Sequence, residues 1–173
     1  MWGNVAVTLK DKLHFFESLI TPRLTYGLAT MWLVTAQRRR IDGFYARCLR
    51  KILSIPNAFY SRVSNAIVLK RAGVTPLSQQ LSHRQLALLG TVARSPLEGP
   101  LRRSTFVNST TSPQIGRYVR RVGRPRQDWT TQVMREGARL FGMAQFETLL
   151  GDRSPGAEQR WKEKLRGLVS RSP

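Results

Sequence analysis

The chain reads as an all-α protein, a small helical bundle with a long basic loop and one or two C-terminal helices. Three observations predict this. Apolar residues recur at three- and four-residue steps, and no run of alternating apolar and polar residues marks a strand. Thr21-Pro22, Pro56 and Thr75-Pro76 punctuate the periodic segments where helices should stop and start. At 41% hydrophobic over 173 residues there is enough apolar material for a core, which excludes wholesale disorder.

The elements follow in order. Val5, Leu9, Leu13, Phe16 and Ile20 predict a first amphipathic helix. Pro22 suits the first turn of a second, where its missing N–H is no loss. That helix should run through Leu24 and Tyr26 toward Trp32 and Leu33, with Gly27 allowing close packing or a bend. The third is the clearest: Ile41, Phe44, Tyr45, Cys48, Leu49, Ile52 and Leu53 form one apolar stripe, ended by Pro56. A short helix from Ser61 to Arg71, the turn Ala72-Gly73-Val74 and a helix to about Ala93 through Leu77, Leu81, Leu88 and Val92 come next. The periodicity lapses from Ser95, returns with Trp129, Val133, Leu140 and Phe141, and closes with a helix after Ser154-Pro155. The expected organisation is a helical domain over 1–94, a basic Pro/Gly/Ser/Thr-rich linker over 95–126 and a C-terminal helical segment over 127–173.

Charge narrows the partners. Lys and Arg number 29 against 10 Asp and Glu, a net charge of +19. A field of that sign attracts nucleic acid, anionic membrane or acidic protein. Most of the cations are arginine, whose planar fork grips a phosphate with two hydrogen bonds, which favours RNA, DNA or both. The lone Cys48 forms no internal disulfide and sits at helical spacing among apolar neighbours. The opening residues lack a signal-peptide pattern, and no apolar run approaches the roughly 18 residues of a membrane span. The expectation is an intracellular chain, in nucleus or cytoplasm or both, with no membrane partner. Asn108-Ser109-Thr110 matches a glycosylation sequon and is read as chance.

No autonomous active site is legible. Nucleotidyl transfer needs carboxylates gathered around metal ions, and the ten acids are scattered with no Asp-Asp pair. Phosphate-cradling Gly-x-x-x-x-Gly-Lys and His-Glu-x-x-His are both absent. His14 and His83 lie far apart and read as surface or packing residues. The chain is expected to be no enzyme, with no cofactor and no metal site.

Three basic elements remain. Arg39, Arg40, Arg47, Arg50 and Lys51 fall opposite the apolar stripe of the third helix, with Asp42 the one acid among them in sequence. They are candidates for phosphate contacts, and a merely solvated face is the plain alternative. The helices around Ala72-Gly73-Val74 have helix-turn-helix length, with Lys70, Arg71, His83 and Arg84 available to nucleic acid. The third runs from Arg117 through Arg120, Arg121, Arg124 and Arg126 around Gly123-Arg124-Pro125, the centre of an AT-hook, although Val122 replaces the usual preceding arginine. A flexible basic segment leading into a Trp-anchored helix explains that run equally well. Trp32, Trp129 and Trp161 read as packing anchors rather than base-stacking platforms.

In order and spacing, these strings resemble the region that follows the polymerase domain in LINE-type, non-LTR retrotransposon reverse transcriptases. The resemblance rests on the segment Lys10 to Pro22, Tyr26-Gly27 with Trp32, and Tyr45-Ala46-Arg47-Cys48-Leu49-Arg50-Lys51-Ile52-Leu53. Ser64-Asn65 with Val68-Leu69-Lys70-Arg71, then Gly90 through Arg94, continue it. Gly123-Arg124-Pro125 with Trp129, and Asp152-Arg153 with Trp161, complete it. The family's acid between Gly27 and Trp32 is absent, that interval is one residue longer, and Thr91 stands where the family has histidine. The resemblance implies a thumb-like bundle and connector that hold template–primer backbone while a separate polymerase domain, absent here, does the chemistry. A stand-alone regulator built on the helix-turn-helix and AT-hook-like elements, or a decayed retroelement product without a cellular role, are the alternatives.

Overall fold

The computed structural model describes residues 6–114 and 128–169. The protein is all-α; among the described residues there is no strand, only an isolated bridge between Phe106 and Pro113. It divides into two compact units. One comprises the chain up to Leu28 together with Leu33–Leu81, the other Ala29–Trp32 together with the chain from Ser82 onward.

In the first unit, Thr8 caps α1 (Leu9–Phe15) by accepting from the Asp11 N–H. The helix then widens into a π-turn over Phe16–Ile20 and continues as α2 (Thr21–Thr25). Pro22 therefore does not separate two helices. The Thr21 N–H reaches back five residues to the Phe16 carbonyl, a wide turn of the kind that absorbs a local misfit within a helix. The second helix stops at Thr25, short of Trp32 and Leu33, because Tyr26 turns to ψ 128 and Gly27 follows in the left-handed region at φ +72, a tight turn that glycine accommodates.

α3 (Thr35–Ile52) is the long element of this unit. The expected helix over Ser61–Arg71 is two pieces, α4 (Ala58–Ser61) and α5 (Asn65–Ala72), parted by Arg62 at φ +54. Gly73 at φ +68 ends α5, and α6 (Leu77–Arg94) follows. The core gathers Phe16, Tyr45, Leu49, Ile52, Val68 and Leu77, each worth about 1.5–3 kcal/mol on burial. The buried Tyr45 hydroxyl donates to the Glu17 carboxylate and accepts from Gln80 Nε2, tying the π-turn, α3 and α6 together. Burial, then that carboxylate, push the Tyr45 pKa well above the usual phenol value.

The second unit is built from the C-terminal part of α6, α7 (Pro100–Thr105), α8 (Trp129–Phe141), α9 (Met143–Gly151) and α10 (Ala157–Val169). Its core holds Leu86, Leu89, Phe106, Val133, Phe146, Leu150, Trp161 and Leu165. The described part of the stretch read as a linker contains α7 and the fully buried Phe106. Three arginines satisfy the carbonyls where α6 ends. Arg102 and Arg153 both donate to the Ala93 carbonyl, and Arg94 donates to Gly90 and Leu149. Cations at a helix C-terminus also suit its dipole. Part of the chain's basicity is thus spent on architecture.

Candidate nucleic-acid interface

α3 starts where extended Val34 gives its N–H to the Gln37 side chain at 3.0 Å. Tyr45, Ala46, Leu49 and Ile52 turn inward. Arg39, Arg40, Gly43, Arg47, Arg50 and Lys51 share an arc of about 120° on the other side, at about 100° per residue. Arg39, Arg40, Arg47 and Lys51 are exposed.

None of those four is ion-paired among the described residues. The ion pairs found there, Arg139–Glu136, Arg160–Asp152 and Lys162–Glu158, all belong to the second unit. Asp42 accepts from the Ser78 N–H at 2.7 Å and from Ser78 Oγ at 2.6 Å, so its charge serves the first turn of α6. Arg47 and Lys51, four residues apart, repel by about 0.2–0.5 kcal/mol. The Arg47 guanidinium also lies 5.9 Å from the Phe44 ring centroid.

Arg39, Arg40, Arg47 and Arg50 line an open concavity of about 500 Å³, whose remaining lining is Gly43, Asn57, Ala58 and Asn65. A Cβ at Gly43 would meet nothing within 4 Å, so the missing side chain leaves the groove wider. The three exposed guanidinium groups on this concavity, those of Arg39, Arg40 and Arg47, form an anion site by charge and by donor geometry.

Arg50 departs from expectation. It is only 3% exposed, so the outward direction assigned from helical phase does not make it a surface cation. After Pro56 the chain folds back over the last turns of α3. The Arg50 guanidinium donates to the Pro56 carbonyl, Ser61 Oγ, the Val63 carbonyl and Asn65 Oδ1. A buried guanidinium needs such acceptors, and the loop supplies four. Arg50 positions the groove wall rather than standing free on its rim.

Helical phase also missed two aromatics. Phe59 and Tyr60, on α4, are 75% and 76% exposed, with ring centroids 5.2 Å apart at 87°. The Arg62 guanidinium lies 5.9 Å from the Phe59 centroid. The signal was present as Asn57-Ala58-Phe59-Tyr60-Ser61-Arg62, two adjacent aromatics in an otherwise polar stretch just after Pro56.

The other candidates are placed as follows. Lys70 and Arg71 are exposed on α5, Arg84 is exposed, and His83 is half-buried, which lowers its pKa. α6 buries Leu77 and Leu81 in the first unit and Leu86, Leu89 and Val92 in the second, so it serves as a core helix. Trp161 is buried, Trp32 packs on the second core, and Trp129 donates to the Ala29 carbonyl at 2.9 Å. Half-buried Cys48 has its thiol pKa raised by burial, against the opposing pull of Lys51 and Arg47. Arg120, Arg121, Arg124 and Arg126 lie outside the described residues.

The acids serve local structure: Asp11 and Asp128 at helix starts, Glu17 at Tyr45, Asp152 at Ser154 and Arg160. Among the described residues, no three of His, Cys, Asp and Glu cluster as metal ligands, and no helix is long and apolar enough to cross a membrane. No protein-family model, curated protein or solved structure matches the chain.

Proposed function

We propose that the protein is a non-catalytic nucleic-acid-binding segment that grips polynucleotide backbone through α3, largely without regard to sequence. One observation carries the reading. Arg39, Arg40, Arg47 and Lys51 stand exposed on one arc with no ion-pair partner among the described residues, and Asp42, the one acid among them in sequence, is committed to Ser78. Unpaired like charges held together are a standing cost that a phosphate backbone removes, with counterion release adding to the gain. A face that offers guanidinium groups and no carboxylate reads charge rather than base identity.

The likeness to the thumb and connector of non-LTR reverse transcriptases fits this reading. Several residues that carry it meet in the second unit: Trp32 and Trp129 pack on the core, Trp161 covers Gly90, and Arg153 caps the end of α6. The helix-turn-helix alternative asks α6 to enter a groove, a role at odds with burial in two cores. The test is binding of the full chain to RNA and DNA duplexes at several salt concentrations. Arg39→Glu/Arg47→Glu should weaken both by tenfold or more at about 100 mM salt and flatten the salt slope by about two. Unchanged affinity and slope would sink the reading.

A further inference from the structure

We infer that the arginine groove of α3 and the Phe59–Tyr60 pair together form a site for unpaired nucleotides, the groove taking phosphate and the rings taking bases. The inference rests on the nucleic-acid reading above and adds to it a class of ligand, single-stranded rather than fully paired polynucleotide.

Three observations lead there. First, the two features are neighbours in one unit. Asn57 and Ala58 line the groove, and Phe59 and Tyr60 are the next two residues of the same short helix. Successive Cα atoms lie about 3.8 Å apart, so the backbone that carries the rings directly adjoins the lining of the concavity. Second, both rings are three-quarters exposed although large aromatics are among the costliest groups to leave in water. A duplex keeps its base faces stacked on one another, whereas an unpaired base offers a π face to an aromatic ring whatever its sequence. Third, the loop is held in place. Arg50 donates to Pro56, Ser61, Val63 and Asn65, bracketing α4 on both sides. Ser54 and Arg62 both take φ +54, so the segment turns sharply at each end. Arg62 adds a cation beside the Phe59 ring. A protein-docking surface would use the same rings, but the exposed Arg39, Arg40 and Arg47 guanidinium groups lining the groove select a polyanion.

The test uses the full chain with two labelled probes, a single strand of about twelve nucleotides and a blunt duplex of the same length. Phe59→Leu/Tyr60→Leu keeps apolar bulk and removes the π faces. Phe59→Trp/Tyr60→Trp keeps them. The leucine pair should lose about tenfold or more in single-strand affinity, with little change toward the duplex. The tryptophan pair should bind the single strand like the parent, and both should retain the parent's circular dichroism and melting temperature. Arg39→Glu/Arg47→Glu should lose both probes. If the leucine pair binds the single strand as the parent does while the charge reversal still abolishes binding, the rings are a protein-docking face; the stacking site is then refuted and the backbone grip stands. If the parent binds neither probe, both proposals fall.

Discussion

The Trp161 indole occupies the space where a side chain on Gly90 would begin. A Cβ built at Gly90 falls 2.2 Å from Trp161 Nε1, and the Arg94 guanidinium lies 5.3 Å from the ring centroid. One α6 glycine thus sets how closely α10 approaches. Gly90→Ala should cost about 1–3 kcal/mol in denaturant unfolding, because a buried ring has little room to retreat. A near-neutral result would mean that α10 shifts freely.

Gly43 has the opposite surroundings, a mid-helix glycine facing open space. Gly43→Ala should raise stability by about 0.5–1 kcal/mol, since it restores helix propensity without a clash. Gly43→Leu should fold equally well yet bind polynucleotide more weakly, because its side chain fills the groove. Melting curves paired with binding titrations separate the two effects.

Gly137 lies against Phe146, with a Cβ there 2.2 Å from the ring. Gly137→Ala should destabilise by about 1–3 kcal/mol. In a Phe146→Leu background the same change should cost markedly less, a non-additivity read from a double-mutant cycle. Strictly additive losses would show that the two side chains do not compete for one space.

Arg102 is 1% exposed and donates to the carbonyls of Ala93, Ser109 and Thr110. Arg102→Met should cost about 1–3 kcal/mol by leaving the Ser109 and Thr110 carbonyls unmet, Ala93 keeping its bond from Arg153. Its exposed neighbour provides the contrast: Arg103→Met should fall within about 0.5 kcal/mol of the parent. Equal effects at both positions would contradict the capping role.

Burial holds the His83 pKa below its ordinary value. In the window between the two values the unfolded chain binds the proton and the folded one does not, so stability rises with pH. The contribution is complete above an unfolded pKa of about 6.5 and is lost as pH falls through the folded value. Denaturant midpoints at about pH 7.5 and pH 5.5 should differ less in His83→Gln than in the parent. An identical difference would assign the acid sensitivity elsewhere.

The long elements were legible because periodicity integrates over many residues. α3, with its stripe from Ile41 to Leu53, and α6, from Leu77 through Val92, could be drawn from spacing alone. Short ones were not. α7 has six residues and α9 buries only Phe146 and Leu150, so contacts with the rest of the unit decide them rather than local pattern. The break at Arg62 escaped because a left-handed arginine has no local sequence signature. At the candidate site, helical phase places Arg39, Arg40, Arg47 and Lys51 on the free face and mistakes Arg50 for a fifth surface cation. Phase describes an isolated cylinder, and it cannot register a loop that returns to cover part of it.

That covering loop divides the α3 cations into two kinds with different histories ahead of them. Lysine at 39, 40 or 47 would preserve attraction to a polyanion, so those positions are free to drift between the two basic residues. Position 50 is not, since one ammonium on a flexible stem cannot span four acceptors that a rigid fork reaches together. Among descendants of this chain, the arginine that never becomes lysine should be the one that solvent hardly sees.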